Sequence, residues 1–231
     1  MAAFPVWLSV LSSLAQQAAP EDIEVVHIVS LCHLDAGYKY PFIAEMASEW
    51  FKYWIPDSIE LSEQLRAEGG EVQHRWTMNP WIASLFLQCP RNGTWSGPDN
   101  GANPSTFPLH CPNATELSRF KAAVQRGDIN FYGSAFCTMY EYGDANLVEF
   151  LGEFARSVGE IAGQQHKSFV ASQRDEPGIT RAAIPLLVRS GVRGLSVGMD
   201  WASPAPKVPP AFVWRDEASS TELLVAWHNY G

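Results

Sequence analysis

Residues 23–31, IEVVHIVSL, are β-branched and almost continuously apolar, the pattern of a strand covered on both faces. From residue 41 the apolar positions take helical spacing and keep it to residue 69, with Pro56 expected to break the helix. The alternation then repeats. Residues 71–77 read as a second strand and 80–87 as a short helix, and residues 89–114, rich in Pro, Gly and Asn, read as a surface insertion. Residues 114–127 restore a helix, with Thr115 and Glu116 in its first turn and Gly127 past its end. Residues 128–133 form the third strand, 144–163 an amphipathic helix ending near Gly163, 166–172 the fourth strand, 177–191 a helix and 192–198 the fifth strand. A Pro-rich loop after Trp201 leads to 211–216 and 221–228, a closing hairpin.

Strands that alternate with helices predict an α/β fold on a mostly parallel sheet, doubly wound or closed as a (β/α) barrel. In either layout the polar groups just past the strand C-termini converge on one mouth. Here those groups are His33 and Asp35, Arg75, Glu141, Asp175, Asp200 and finally His228. Carboxylate and imidazole are over-represented for loops that are merely solvated.

Composition narrows the ligand. The 231 residues are 46% hydrophobic and 18% charged, enough to bury a substantial core in one domain or most of one. A net charge of −9 argues against a nucleic-acid surface, which would cluster Lys and Arg. Nine Trp and seven Tyr suit a neutral polar ligand such as carbohydrate, although core packing also absorbs aromatics.

In extended backbone His33 and Asp35 point to the same side, so an imidazole nitrogen and a carboxylate oxygen can meet one cation. One His with several carboxylates suits Zn²⁺, Mn²⁺ or Co²⁺. The other reading of the pair is an Asx-type turn through Asp35, Ala36 and Gly37. Asp175 likewise reads either as a site carboxylate or as a helix N-cap.

The segment His33-Leu34-Asp35-Ala36-Gly37-Tyr38, taken with Asp175-Glu176-Pro177-Gly178 and the following Ile184-Pro185-Leu186-Leu187, resembles the N-terminal catalytic domain of the glycoside hydrolase family 38 α-mannosidases, and more closely the uncharacterised relatives grouped with them. HRWTMNPW, residues 74–81, is similar to the family's second-strand segment, and the resemblance spans residues 25 to 200. It implies a seven-stranded parallel (β/α) barrel of the glycoside hydrolase/deacetylase type. It also implies a metal, usually zinc, held by His33 and Asp35, by the nucleophilic carboxylate and by a later His. Glu141 stands where the family places its Asp nucleophile, and His228 is the candidate late His. The reaction implied is retaining glycoside hydrolysis, with Asp175 or Asp200 as proton donor and Tyr38, Arg75, Trp76 and Trp201 as candidate substrate contacts. With Gly231 as the last residue, the barrel is expected to be incomplete in this chain.

Residues 1–19 read as a candidate signal peptide and 20–231 as the partial catalytic domain. Two N-x-T sequons at Asn92 and Asn113 lie in the insertion bracketed by Cys89 and Cys111, a pair expected to staple it; four unpaired thiols in a reducing compartment is the other reading. Together these features favour the secretory pathway, with no membrane span in the mature chain and no nucleic-acid partner. His27, His74, His110 and His166 read as structural, and Cys32 and Cys137 as buried thiols beside the site. A metal-dependent carbohydrate deacetylase and a non-catalytic secreted domain are the alternative functions.

Overall fold

A computed structural model describes residues 30–31, 33–34, 43–89, 94–95, 107–135, 139–164, 170–176, 178–204 and 206–228. The expected signal peptide, the sequon at Asn92, Cys32, Cys137, and the candidate site residues Asp35 and Tyr38 lie outside the described residues.

The order of elements follows the alternation in the sequence. β1 (Ser30–Leu31), β2 (Trp76–Met78) and β5 (Ile129–Phe131) pair in parallel, with Leu31 opposite Thr77 and Met78 opposite Phe131. A second sheet has the order β6 (Val170–Glu176), β7 (Gly194–Met199), β9 (Thr221–His228) and β8 (Ala211–Asp216). Its first three strands run parallel, and β8 is the antiparallel edge made by the expected hairpin. The amide of Gly133 donates to the carbonyl of Val170 at 2.8 Å, joining the end of β5 to the start of β6. The architecture is therefore α/β with parallel strands in two open sheets; among the described residues no strand pairing closes them into a barrel.

Helices cover one face of each sheet. Over the first sheet, α1 (Ile43–Glu49), α2 (Ile55–Glu68), α3 (Pro80–Leu87) and α4 (Ala114–Arg126) bury a chain of rings in which Phe51, Phe86, Phe120 and Phe131 follow at 5.2, 5.0 and 6.4 Å. Over the second, α5 (Ala145–Ala162) and α6 (Ala183–Arg189) bury Leu151, Ile184 and Leu187 against Leu195, Val197 and Val225. Each fully buried Leu or Ile contributes roughly 1.5–3 kcal/mol by leaving water.

Local chemistry sets the element ends. The Asn113 carboxamide oxygen accepts from the amides of Thr115 and Glu116, and the Glu116 carboxylate accepts from the Asn113 amide, a reciprocal cap for α4. Asp144 caps α5 through the Leu147 amide, and Gly163 ends that helix with φ 82, a left-handed conformation that glycine adopts without strain.

Two expectations are corrected here. Pro56 does not break the helix. A π-helical turn, Trp50–Trp54, joins α1 to α2, and the Ile55 amide bonds to the Trp50 carbonyl five residues back, so helical backbone runs on through Trp54 and Ile55 into Pro56. The second strand starts later than 71–77, at Trp76, because its ladder begins where the Trp76 amide donates to the Asp128 carbonyl at 2.8 Å. The insertion holds a two-residue antiparallel pair, β3 (Thr94–Trp95) and β4 (Phe107–Pro108), and the expected disulfide Cys89–Cys111, with Cα atoms 5.5 Å apart. Among the described residues no helix is long and apolar enough to cross a membrane.

Candidate active site

Period-two alternation gives the strands two chemically different faces. In β7 the sequence Gly-Leu-Ser-Val-Gly-Met sends Leu195, Val197 and Met199 into the helical core and leaves Gly194, Ser196 and Gly198 on the opposite face. Register places Ser172 beside Ser196, and Arg174 beside Gly198, which is itself beside His228. In the first sheet Trp76, Met78, Ile129 and Phe131 enter the helical core, leaving Thr77 and Asn130 on the other face. The faces turned from the helices are therefore mostly polar, and the polar groups gather toward the C-terminal ends of the strands.

At that end His33 and Asp175 come together. Nε2 of His33 lies 3.8 Å from Oδ2 of Asp175, with both side chains partly open to solvent. Asp175 sits where the β6–β7 register shifts, between Arg174 and Glu176, and has φ 56. A non-glycine residue held in the left-handed region costs on the order of 1 kcal/mol, and such outliers gather at functional sites. The bulge re-aims the end of β6, as bulges next to active sites commonly do.

Glu176, one residue on, is the group whose acidity the site changes. Partial burial raises its pKa, and the charges of Asp175, Glu141 and Asp200 raise it further. Three candidate carboxylates are thus close enough to act on a fourth, which the sequence reading passed over. The signal was the doublet Asp175-Glu176 at a strand end, of which only the first member was singled out.

Glu141 lies in a 3₁₀ turn, Tyr140–Tyr142, and is exposed. The turn is pinned by buried Tyr140, whose hydroxyl donates to Ser134 Oγ at 3.1 Å. Asp200 is engaged as a turn clamp: Oδ1 accepts from the amides of Ala202 and Ser203 at 2.8 and 2.9 Å, and Oδ2 from the Ser203 hydroxyl at 2.6 Å. The Ser203 hydroxyl, then these amides, lower its pKa, so Asp200 is held ionised and suits a clamp better than a proton donor. His228 ends β9, its pKa lowered first by desolvation and second by Arg174.

Other candidates move away from the mouth. Trp76 is buried in the helix-side core, stacked on Trp50 at 5.4 Å, and Arg75, which precedes β2, bonds Gln73 at the N-terminal end of the sheet. Both follow from the later start of β2, which makes Asn79 the residue past its end. Trp201 stands 85% exposed on the Asp200 turn.

His33 and Asp175 are residue types that can ligate a divalent metal. The 3.8 Å between His33 and Asp175 is too long for a hydrogen bond, while two donors about 2.1 Å from one tetrahedral ion stand about 3.4 Å apart. Among the described residues no group of three His, Cys, Asp or Glu side chains is gathered closely enough to hold an ion, and Asp35 lies outside them.

No protein-family model matches the chain, and no curated protein matches it. Among solved structures the fold is similar to that of a 4-alpha-glucanotransferase from Thermococcus litoralis, at TM-score 0.53 and 7% identity. The match covers 86% of this chain but 27% of that enzyme, so the chain spans about a quarter of the length of the protein it resembles. At this identity the likeness establishes a shared fold, one found in a carbohydrate-active enzyme.

Proposed function

We propose that the chain is the catalytic α/β part of a glycoside hydrolase, α-mannosidase-like and metal-dependent. The observation that carries this reading is the meeting of His33 and Asp175 across the ends of β1 and β6, within a carboxylate cluster that raises the pKa of Glu176. Glycoside hydrolysis uses two carboxyl groups, one of which must keep its proton, and the raised pKa of Glu176 suits it to that part.

Glu141, exposed on its turn, acts as the nucleophile at the anomeric carbon. Glu176, its pKa raised by partial burial and by nearby carboxylates, donates its proton to the glycosidic oxygen as that bond breaks. Water then displaces the sugar from Glu141 and returns a proton to Glu176, which restores the site. In this reading Asp175 keeps the charge that holds the Glu176 proton in place. A zinc or other divalent ion would be held by His33 and Asp35 with Glu141 and His228, and Asp175 stands within reach of the same ion. When bound, the ion supplies a Lewis acid for sugar hydroxyls. The disulfide supports a protein of an oxidising compartment, which agrees with secretion.

The test is hydrolysis of a panel of aryl glycosides, aryl α-mannoside included, by the wild type and by Glu176→Gln. Sugar release by the wild type that falls at least a hundredfold in the variant supports the reading. Release of acetate from acetylated oligosaccharides with no free sugar would instead make the chain a deacetylase. Metal binding with no turnover at all would make it a non-catalytic domain.

A further inference from the structure

The two polar atoms of the Asn113 carboxamide are used unequally. Oδ1 accepts from the amides of Thr115 and Glu116 at 2.9 and 3.0 Å, which caps α4, while among the described residues Nδ2 makes no hydrogen bond. A cap needs only that oxygen, and aspartate would serve equally well. The stretch Asn113-Ala114-Thr115 is also an N-x-T acceptor sequence, in which the amide nitrogen is the atom modified, and all three residues are exposed. The segment that leads to it is held in place. Leu109 is buried, the His110 amide donates to Ser48 Oγ at 3.2 Å, and Cys111 is bonded to Cys89. Nδ2 of Asn113 therefore faces solvent from a fixed turn, on a chain whose disulfide belongs to an oxidising compartment.

We propose that Asn113 carries an N-linked glycan, attached through Nδ2, with the cap of α4 kept on Oδ1. The donor is an oligosaccharide activated as a polyprenyl diphosphate. Nδ2 attacks C1 of its first sugar and releases one proton; the bond from nitrogen to C1 forms, the bond from C1 to the diphosphate oxygen breaks, and the lipid diphosphate leaves with that electron pair. Nδ2 keeps its other proton and Oδ1 is untouched, so both capping bonds survive the modification. The amide of Asn113, which donates to the Glu116 carboxylate at 2.8 Å, is likewise outside the reaction. A bulky polar group at this exposed position meets no element of the core. The proposal rests on the reading of the chain as a protein of an oxidising compartment, and it is independent of the reaction catalysed at the strand ends.

The full chain, expressed in a eukaryotic cell with its own N-terminus, tests this by peptide mass spectrometry together with alkylation of free thiols. Release of an N-glycan by N-glycanase leaves aspartate in place of the modified asparagine, so fragmentation of the peptide tells position 113 from the second sequon at Asn92. A glycan at position 113, with its shift in gel mobility lost in both Thr115→Ala and Asn113→Asp, supports the proposal. Asn113→Asp keeps a capping acceptor and is expected to melt close to the glycosylated wild type, whereas Asn113→Ala loses cap and glycan together and should melt lower. A chain with the Cys89–Cys111 bond formed and position 113 unmodified overturns the proposal and leaves the oxidising-compartment reading intact. A chain recovered unmodified, with Cys89 and Cys111 both open to alkylation, overturns the two together. Because the glycan is mapped on the wild type itself, a variant that fails to fold leaves the result standing.

Discussion

The amide of Asp200 donates to the carbonyl of Glu176 at 3.2 Å, so the turn that carries Trp201 hangs from the bulged end of β6. Through this bond the clamp carboxylate stays near the Glu176 side chain, and its charge is one of the three that raise the Glu176 pKa. A group whose folded pKa is raised binds its proton more tightly in the native state. Stability therefore falls as pH rises from the unfolded to the folded pKa, and the full cost persists above that window. Glu176→Gln is expected to melt higher than wild type at pH 7 and at the same temperature below about pH 4, where Glu is protonated folded or unfolded. Its hydrolytic rate should fall by about 10²–10⁴, the usual share of a general acid. A variant that melts lower at pH 7, or turns over normally, contradicts the role.

His33→Ala should lose its bound divalent ion and its turnover together, as measured by elemental mass spectrometry beside a rate assay. Turnover that survives complete chelation would sink the metal-dependent reading.

The left-handed backbone at Asp175 separates stability from chemistry. Glycine adopts φ 56 freely, while a β-branched residue there costs about 1–2 kcal/mol. Asp175→Gly is expected to unfold at a denaturant concentration equal to or above that of wild type while losing activity, and Asp175→Val to unfold earlier. If Gly and Val are equally destabilising, the conformation carries no strain.

Much of the frame was legible because its signals are local. Asn113 and Asp144 before amphipathic runs, Gly127 and Gly163 after them, and the spacing of the 211–228 hairpin each act within a few residues. Pro56 misled because the π turn that accommodates it is set by packing of Trp50 and Phe51 into the core. In the site, Asp175 could be found as a polar residue ending an apolar run. Glu176 shares the doublet that marks Asp175, but what sets the two apart, the charges from other strand ends that act on Glu176, lies outside that segment. Trp76 read as a site aromatic for the converse reason, since only the register of β2 sends it to the helical side.

The Cys89–Cys111 disulfide closes a loop with a sequence separation of 22, which by the chain-entropy account contributes about 3 kcal/mol. Cys89 and Cys111 also pack against the first core, so the bond anchors the insertion to the α3–α4 region. Replacing both with Ser should lower the stability measured by urea unfolding by about that amount and make melting insensitive to reductant. Unchanged melting of the wild type on full reduction contradicts this.

Asp128 is the buried carboxylate that ties α4 to the first sheet. Only 4% of its side chain is exposed, and it pairs with Arg66 of α2 through Oδ1 and with Arg126 of α4 through Oδ2, the latter at 2.8 Å. Arg126 reaches on to Glu63 at 3.6 Å, and Arg119 donates to Glu63 at 2.6 Å, so one carboxylate organises charges from two helices. Its backbone carbonyl also receives the Trp76 amide that starts β2. Asp128→Ala removes two charge-assisted bonds but leaves Arg66 and Arg126 partly open to solvent, and should cost about 1.5–3 kcal/mol. The loss should exceed that of Glu63→Ala, whose more exposed contacts contribute about 1 kcal/mol or less. Urea unfolding of the two variants side by side checks the ranking, and equal losses would show that burial of Asp128 adds nothing to its pairing.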